Sequence, residues 1–469
     1  MVKPAQNINK ESLARRLNRW LALLDRPVSI APLVTFRIVF GAVMVFSVLR
    51  FWSLGWIEDH FINTQITFKY FGFHWVQLLP PFWMYLLHAL MLLGAIGITV
   101  GLWYRLSALL YFLTFTYVEL IDLTYYLNHY YFVSITSFLL ISVPANRRFS
   151  IDCLLNPTIR THQTPFWTVA VFKLQIAIVY IYAGLAKINY DWLIRAMPLK
   201  IWAPANDALP LIGWLFKLKI TPYLFSWIGM IYDTTIVFWL SWRKTRWLAY
   251  ISVIIFHTLT GIMFQIGVFP IVMIGATWIF FSERFHERLL GWLEKSFTKF
   301  RYNKILQPIE NQSSKNTSRW LVALLVLHFT FQILFPWRYL LYPGNLFWTE
   351  EGYRFSWRVM LMEKAGTATF YVKDSKTGRE GVVDNGEFLR PHQEKQMAMQ
   401  PDMILQFAHY LHQYYKTQGV HEPQVRVEAY VTLNAQPSRL LIDPNIDLTQ
   451  ITEDWKPKDW IIHYNDEKK

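Results

Sequence analysis

The chain has 469 residues, of which 54% are hydrophobic, 17% aromatic and only 17% charged. Soluble globular proteins carry about 25% charged residues, so this composition excludes an ordinary soluble enzyme and points to surface facing lipid, with aromatic rings at the membrane interfaces. One cysteine, Cys153, rules out an intramolecular disulfide, and the net charge of +14 is uneven: residues 1–344 hold 31 basic against 14 acidic, residues 345–469 hold 15 against 18. Nucleic-acid binding is the first thought for such a basic chain, but the basic residues lie between apolar stretches, where membrane topology accounts for them.

Taken in chain order, the first twenty residues are basic and polar, without the apolar core of a signal peptide, and read as a cytoplasmic amphipathic lead-in. Apolar stretches long enough for a hydrocarbon core of ~30 Å then predict nine spans, at 34–52, 82–103, 106–120, 126–143, 166–186, 224–242, 247–262, 266–281 and 320–340. Alternate loops are basic (Arg147-Arg148, Arg160, Arg243 to Arg246, and a run from Arg284 through Lys304) while the others are acidic or mixed (Glu58-Asp59, Glu119 with Asp122, and 187–223). By the positive-inside rule the basic loops are cytoplasmic. An odd number of spans then places the C-terminus outside, in a periplasm or an ER lumen. The sequons at Asn311 and Asn316 fall in a basic inner loop and are chance matches on this topology.

Beyond the last span the pattern changes. Segments 367–373 and 379–383 flank a Gly-containing turn and predict a hairpin. Met403, Ile404, Phe407, Leu411 and Tyr415 have helical spacing over 401–416, whereas 425–433 alternates as a strand with a partner at 439–442. The expected class is therefore a polytopic α-helical membrane protein, with a helical transmembrane domain over 1–344 and an extracytoplasmic α+β domain over 345–469.

Ionisable groups at membrane depth are functional candidates. Lys187 ends the fifth predicted span; it is either a snorkelling lysine with its ammonium in water or a desolvated amine base. Gly184, one turn earlier, leaves room for another helix or a flat ligand. Asn128-His129 opens the fourth span and His257 lies within the seventh, where a lone histidine is more often a packing element; three such groups towards one leaflet are less easily dismissed. Asp191 and Asp233 are available as charge partners. The histidines lack i, i+4 spacing and there is no cysteine pair, so no metal is predicted; a P-loop, a GxGxxG turn and a nucleophile elbow are likewise missing.

At these residues the chain resembles the vitamin K-dependent γ-glutamyl carboxylases with an HTTM-type membrane domain. The resemblance runs from about Ser12 to Trp460. It rests on Leu24 to Pro27, Phe36 to Gly41, Val100 to Arg105, Asn128-His129, Val179 to Trp192, Phe256-His257 and Phe264 to Gly267, then Trp348 to Trp357, Pro401 to Gln406, Glu422 to Gln424, and Ile442 to Pro444. It implies a peptidyl-glutamate 4-carboxylase. Lys187 matches the family's base toward a reduced quinone, His129 a histidine of the carboxylation half, and His257 a further active-site histidine. Asn128, Gly184, Tyr353, Ser356 and Trp357 fall in the segments implied to contact quinone or glutamate.

The implied reaction oxidises reduced vitamin K with O2 to its epoxide, and the base so generated lets the γ-carbon of a glutamyl side chain add to CO2. The implied partners are a glutamate-containing protein or peptide, the quinol and membrane lipid, with no nucleic acid and no metal. The chain lacks the paired cysteines of the animal members, and Ala186 stands where they carry a second lysine. A bacterial inner-membrane setting with menaquinol in place of phylloquinol is therefore the expectation. The rival readings are a quinol epoxidase that carboxylates nothing and a non-enzymatic membrane binding or transport protein; a transporter would favour internal repeats, and no repeat is evident.

Overall fold

A computed structural model describes residues 19, 22–264, 266–298 and 317–464. Most of the lead-in, Gln265, the basic residues Lys299, Arg301 and Lys304, and both sequons lie outside the described residues. Each predicted span corresponds to a helix: α1 (Ala31–Ser53), α2 (Pro81–Val100), α3 (Tyr104–Ile121), α4 (Asn128–Ser142), α5 (Trp167–Ala186), α6 (Thr221–Ser241), α7 (Arg246–Phe264), α8 (Phe269–Thr277) and, after the amphipathic α9 (Glu283–Thr298), α10 (Arg319–Leu334). Among the described residues six helices are long and apolar enough to cross a membrane; α3, α4 and α8 fall short of that test, and α8 continues only as a short 3-10 turn over Trp278–Phe280. The protein is a membrane protein built on this bundle.

Local chemistry explains the helix ends. Pro32, Pro81, Pro222 and Pro270 stand in first turns, where the missing N–H costs nothing and the fixed φ suits the helix. The start of α3 is held by Asp152, whose carboxylate accepts from the amides of Trp103 (2.7 Å) and Tyr104 (3.0 Å), a negative charge at the positive end of the helix dipole. Helices α2 and α3 pack closely because Gly97 has no Cβ; one there would stand 2.1 Å from Ser107 Oγ.

The C-terminal region is α+β. Its sheet has the order β2-β1-β3-β4, with β1 (Lys364–Lys373) and β3 (Gln424–Leu433) antiparallel along their whole length between the short β2 (Glu380–Val382) and β4 (Arg439–Leu440). Along β3 the side chains of Val425, Val427, Ala429, Val431 and Leu433 are all buried, the period-2 pattern of a one-sided sheet. Against that face lie α11 (Pro391–Met397) and α12 (Pro401–Thr417).

This core is completed by Ile66, Phe68 and Leu123 from the bundle's own connections. Hydrogen bonds fasten the same seam: Gln406 exchanges bonds with the Lys69 backbone in both directions (2.7 and 2.9 Å), and Gln393 Nε2 donates to Asp122 (2.8 Å). The C-terminal core thus takes in residues from the bundle's connections, while the helices of the bundle pack around a core of their own. We call the side of the bundle that carries this seam the domain end.

A buried ion pair, Arg354–Asp402, also crosses toward the bundle-facing segment. Burial by itself pushes the Asp402 carboxyl up, but the charge of Arg354, then of Lys458, and hydrogen bonds from Arg354 and the Met403 amide hold it at about 2. A folded-state value below the ordinary one stabilises the fold above pH ~4, and that stabilisation is lost as the pH falls toward 2. The expected contribution is on the order of 2 kcal/mol. Asp402→Asn should therefore flatten the acid limb of a stability-versus-pH curve between pH 4 and 2, as read by thermal unfolding of the purified protein.

Candidate active site

Lys187 follows the last turn of α5. Its ammonium does not snorkel: the residue is 5% exposed, and Nζ donates to Asp233 Oδ2 at 2.8 Å and to the Ala183 carbonyl at 3.2 Å, above the Trp192 ring at 5.3 Å. Asp233 projects from α6 and is equally buried. The close approach of α6 depends on Gly184, where an added Cβ would stand 2.6 Å from the Thr234 amide nitrogen. Of the two occupants that Gly184 allowed, a helix fills the space where a Cβ would stand. Of the two candidate partners for Lys187, Asp191 is engaged elsewhere, with Arg195 and Asn434.

Two turns back along α5, Tyr180 meets His257 of α7, Oη to Nε2 at 2.7 Å. The His257 ring stands edge-on to Phe269 at 5.4 Å, and His129 packs on the same phenyl ring at 5.3 Å. Phe269 opens α8, so that short helix brings the two histidines to one aromatic divider. Both are buried, at 2% and 6% exposure.

The segment predicted to contact substrate, Tyr353 to Trp357, runs with its neighbours Gly352 and Arg358 between two cavities at the domain end. Gly352, Arg354 and Phe355 line one of about 780 Å³; Ser356 and Arg358 line another of about 500 Å³, beside Ala186 and Asn189. Phe355, Trp357 and Met360 take left-handed backbone conformations, which cost on the order of 1 kcal/mol or more each and persist where surroundings over-determine them.

Those surroundings are specific. The Phe355 amide donates to Tyr126 Oη (2.7 Å), Tyr126 donates to Asn128 (3.0 Å), and Asn128 Nδ2 donates to the Arg358 carbonyl (2.8 Å). Arg338 donates to Ser356 Oγ at 2.9 Å and to the Arg354 carbonyl. Trp357 is fully buried and stacks on Tyr131 at 4.8 Å. Asn128, Ser356 and Trp357 therefore hold the segment in shape. Tyr353 packs against Phe347 and borders neither cavity.

A third cavity, of about 590 Å³, contains His129 with Arg50, His60, His88, Glu119 and His392 in its wall. Lys187 and His257 line none of the three. The structure thus joins Lys187 to Asp233, and His129 to His257 about Phe269, but does not open all three onto one chamber.

Reading by sequence missed a buried polar chain across α4, α5 and α10. Gln332 donates to Tyr131 Oη (2.7 Å) and Gln175 meets both Gln332 (3.4 Å) and His328 (3.1 Å). The rule that singled out Lys187, polar side chains inside apolar spans, applies equally to these. Glu119 was counted as a loop acid; it lies within α3 and faces both the 780 and the 590 Å³ cavities.

Residues 25–285 match the HTTM domain family, and residues 317–467 match the family described as vitamin K-dependent gamma-carboxylase, lumenal domain. The chain belongs to the vitamin K-dependent gamma-carboxylase family. Membership implies use of reduced vitamin K and a glutamate-containing substrate. No solved structure matches the chain. For a carboxylase-family protein the large cavity is a fitting quinone receptacle. Phe112, Ile135, Phe138, Phe331 and Phe335 supply an apolar wall, and Tyr126, Tyr131, Gln332 and Arg338 supply hydrogen-bonding groups, the combination usual for small-molecule sites.

Proposed function

We propose that this protein is a peptidyl-glutamate carboxylase that couples epoxidation of reduced vitamin K, or of menaquinol, to addition of CO2 at the γ-carbon of protein-bound glutamate. The observation that carries the reading is the match of both halves of the chain, bundle and C-terminal region, to this family. The reduced quinone, with O2, supplies the strong base that a glutamyl γ-proton requires. Tyr126, Tyr131, Gln332 and Arg338 would hold its oxygens, with its apolar part against the phenylalanines of α3, α4 and α10.

Lys187 is assigned, on the family resemblance, as the final acceptor of the quinol proton; since it does not line the 780 Å³ cavity, the proton would reach it through intervening groups and not by direct contact. Its pairing with Asp233 fixes the amine and offers a second carrier for the same proton. His129 is assigned to the carboxylation half, with His257 positioned through Tyr180 and Phe269. The C-terminal region is placed on the extracytoplasmic side, roofing the site, since the basic loops mark the opposite end of the bundle as cytoplasmic. Exclusion of water by that roof would protect a carbanion from protonation.

The test uses purified protein with menaquinol or phylloquinol, O2, labelled bicarbonate and a glutamyl peptide. Epoxide together with label fixed in the peptide is the expected result. Epoxide without fixed label would replace this reading with a quinol epoxidase, and neither product would sink it. His129→Ala is expected to lower label fixation roughly 100-fold or more while epoxide formation falls less; equal loss of both would remove its separate role.

A further inference from the structure

The cavity of about 500 Å³ has walls of two kinds. Leu185, in the last turn of α5, and Trp337 and Leu340, at the end of the span that begins with α10, belong to two membrane-crossing segments. Ile188 follows α5 directly, and all four side chains are exposed. In a chain that crosses a bilayer, exposed apolar side chains at the end of a span meet lipid, with aromatic rings at the level of the headgroups. The two segments are tied together here: Trp337 Nε1 donates to Tyr182 Oη at 2.8 Å, and Tyr182 donates on to the Ile333 carbonyl.

The other wall is polar and carries a cation without a counter-ion. Arg358 lines the cavity with its guanidinium 4.4 Å from the centre of the Tyr339 ring, and its Nε is buried without a hydrogen-bond partner. Among the described residues no acid pairs with it; the groups that act on its charge are the hydroxyls of Tyr339 and Tyr353. The carboxylate on this wall, Asp191, is held by Arg195 at 2.8 Å and by Asn434 at 2.8 Å. Asn345 stands on the same wall, its Oδ1 accepting from the Phe347 amide at 2.9 Å and its Nδ2 without a partner among the described residues.

A guanidinium that is stacked on an aromatic ring and lacks an acid is suited to a phosphate, whose oxygens match its fork of donors. An amide donor beside it adds to that match. A free phosphate ion would leave the exposed apolar wall uncovered. An acyl chain attached to the phosphate covers that wall and gains by doing so.

We infer that this cavity binds an anionic phospholipid from the leaflet at the domain end, with Arg358 and Asn345 on its phosphate and an acyl chain along Leu185, Ile188 and Leu340. The site is separate from the proposed reaction and stands whether or not that reaction occurs. It has a structural consequence for the neighbouring cavity. Arg358 ends the segment whose Arg354 and Phe355 line the 780 Å³ cavity on the other side. A bound phosphate therefore neutralises the unpaired charge and braces that segment from behind.

The experiment is native mass spectrometry of the full-length protein in detergent, which counts bound lipid as the concentration of added lipid rises. The probes are phosphatidylglycerol, phosphatidylcholine with the same acyl chains, and glycerol 3-phosphate, which carries the phosphate without a chain. Wild type is expected to hold phosphatidylglycerol roughly 10-fold more tightly than phosphatidylcholine, and glycerol 3-phosphate far more weakly than either. Arg358→Gln should lose roughly 10- to 100-fold of the phosphatidylglycerol affinity, and Arg358→Lys, which keeps the charge but not the fork, should keep part of it. Ile188→Glu puts a negative charge on the exposed apolar wall and leaves Arg358 in place. It should weaken phosphatidylglycerol binding as well, and its exposed position guards against a folding defect.

An Arg358→Gln variant of native thermal stability that holds phosphatidylglycerol as tightly as wild type overturns the site. So does a wild type that retains the two lipids equally. Glycerol 3-phosphate bound as tightly as the lipid would make this a site for a free anion, and displacement of the lipid by a capped Leu-Glu-Leu tripeptide would hand the cavity to a peptide; either result also overturns it.

Discussion

Lys187→Ala is expected to reduce both epoxide formation and label fixation by roughly 10²- to 10⁴-fold, the contribution typical of a positioned general base. Both products should fall together, because the carboxylation step draws its base from the oxidation step. The single substitution also leaves the Asp233 carboxyl buried without its partner, a defect that costs about 3–5 kcal/mol in comparable pairs. Lost activity could then reflect a damaged bundle. The double variant Lys187→Met/Asp233→Leu separates the two causes, since replacing a buried pair with apolar residues of similar size is often neutral for stability. It should unfold at a temperature close to wild type and remain inactive in the quinol and bicarbonate assay. A double variant that is native and still forms epoxide would take the base assignment away from Lys187.

Phe407→Ala is expected to have the largest effect on the C-terminal region, about 3–5 kcal/mol. Phe407 is fully buried, edge-on to Phe370 of β1 at 4.9 Å and against Phe388 at 6.2 Å, so the truncated side chain leaves a cavity beneath α12 that rigid sheet residues cannot fill. Set against a domain stability of roughly 5–15 kcal/mol, that loss should expose the C-terminal region to protease at temperatures where wild type resists. Tyr430→Ala, on the opposite face of β3 and 46% exposed, should shift the same transition little. Because Ile66, Phe68 and Leu123 belong to this core, loosening it should also loosen the seam between the C-terminal region and the bundle.

Much of the architecture was legible in residue order because its causes are local. Length and hydropathy mark each span, and the alternation along Val425 to Leu433 reports one buried sheet face. The short α11 was not read, for its seven residues Pro391–Met397 show too little periodicity. Within the candidate site, Lys187, His129 and His257 stood out because a polar group in an apolar run is conspicuous.

Their partners were not legible. Asp191 and Asp233 are alternatives in sequence, and only the crossing of α5 and α6 at Gly184 selects Asp233. Phe269 is one aromatic among many until α8 carries it between two histidines. Arg50 and Glu119 look like charges near span ends, and become wall residues only when the helices close around a space.

The sequence by itself determined that this is a membrane-embedded helical bundle followed by a small α+β region, since lipid and water impose that pattern on each stretch of chain separately. Tertiary packing set which polar groups meet, which cavities exist between them, and that connections of the bundle complete the C-terminal core. Those are properties of distances between residues far apart in the chain, set by close packing, and no local pattern encodes them.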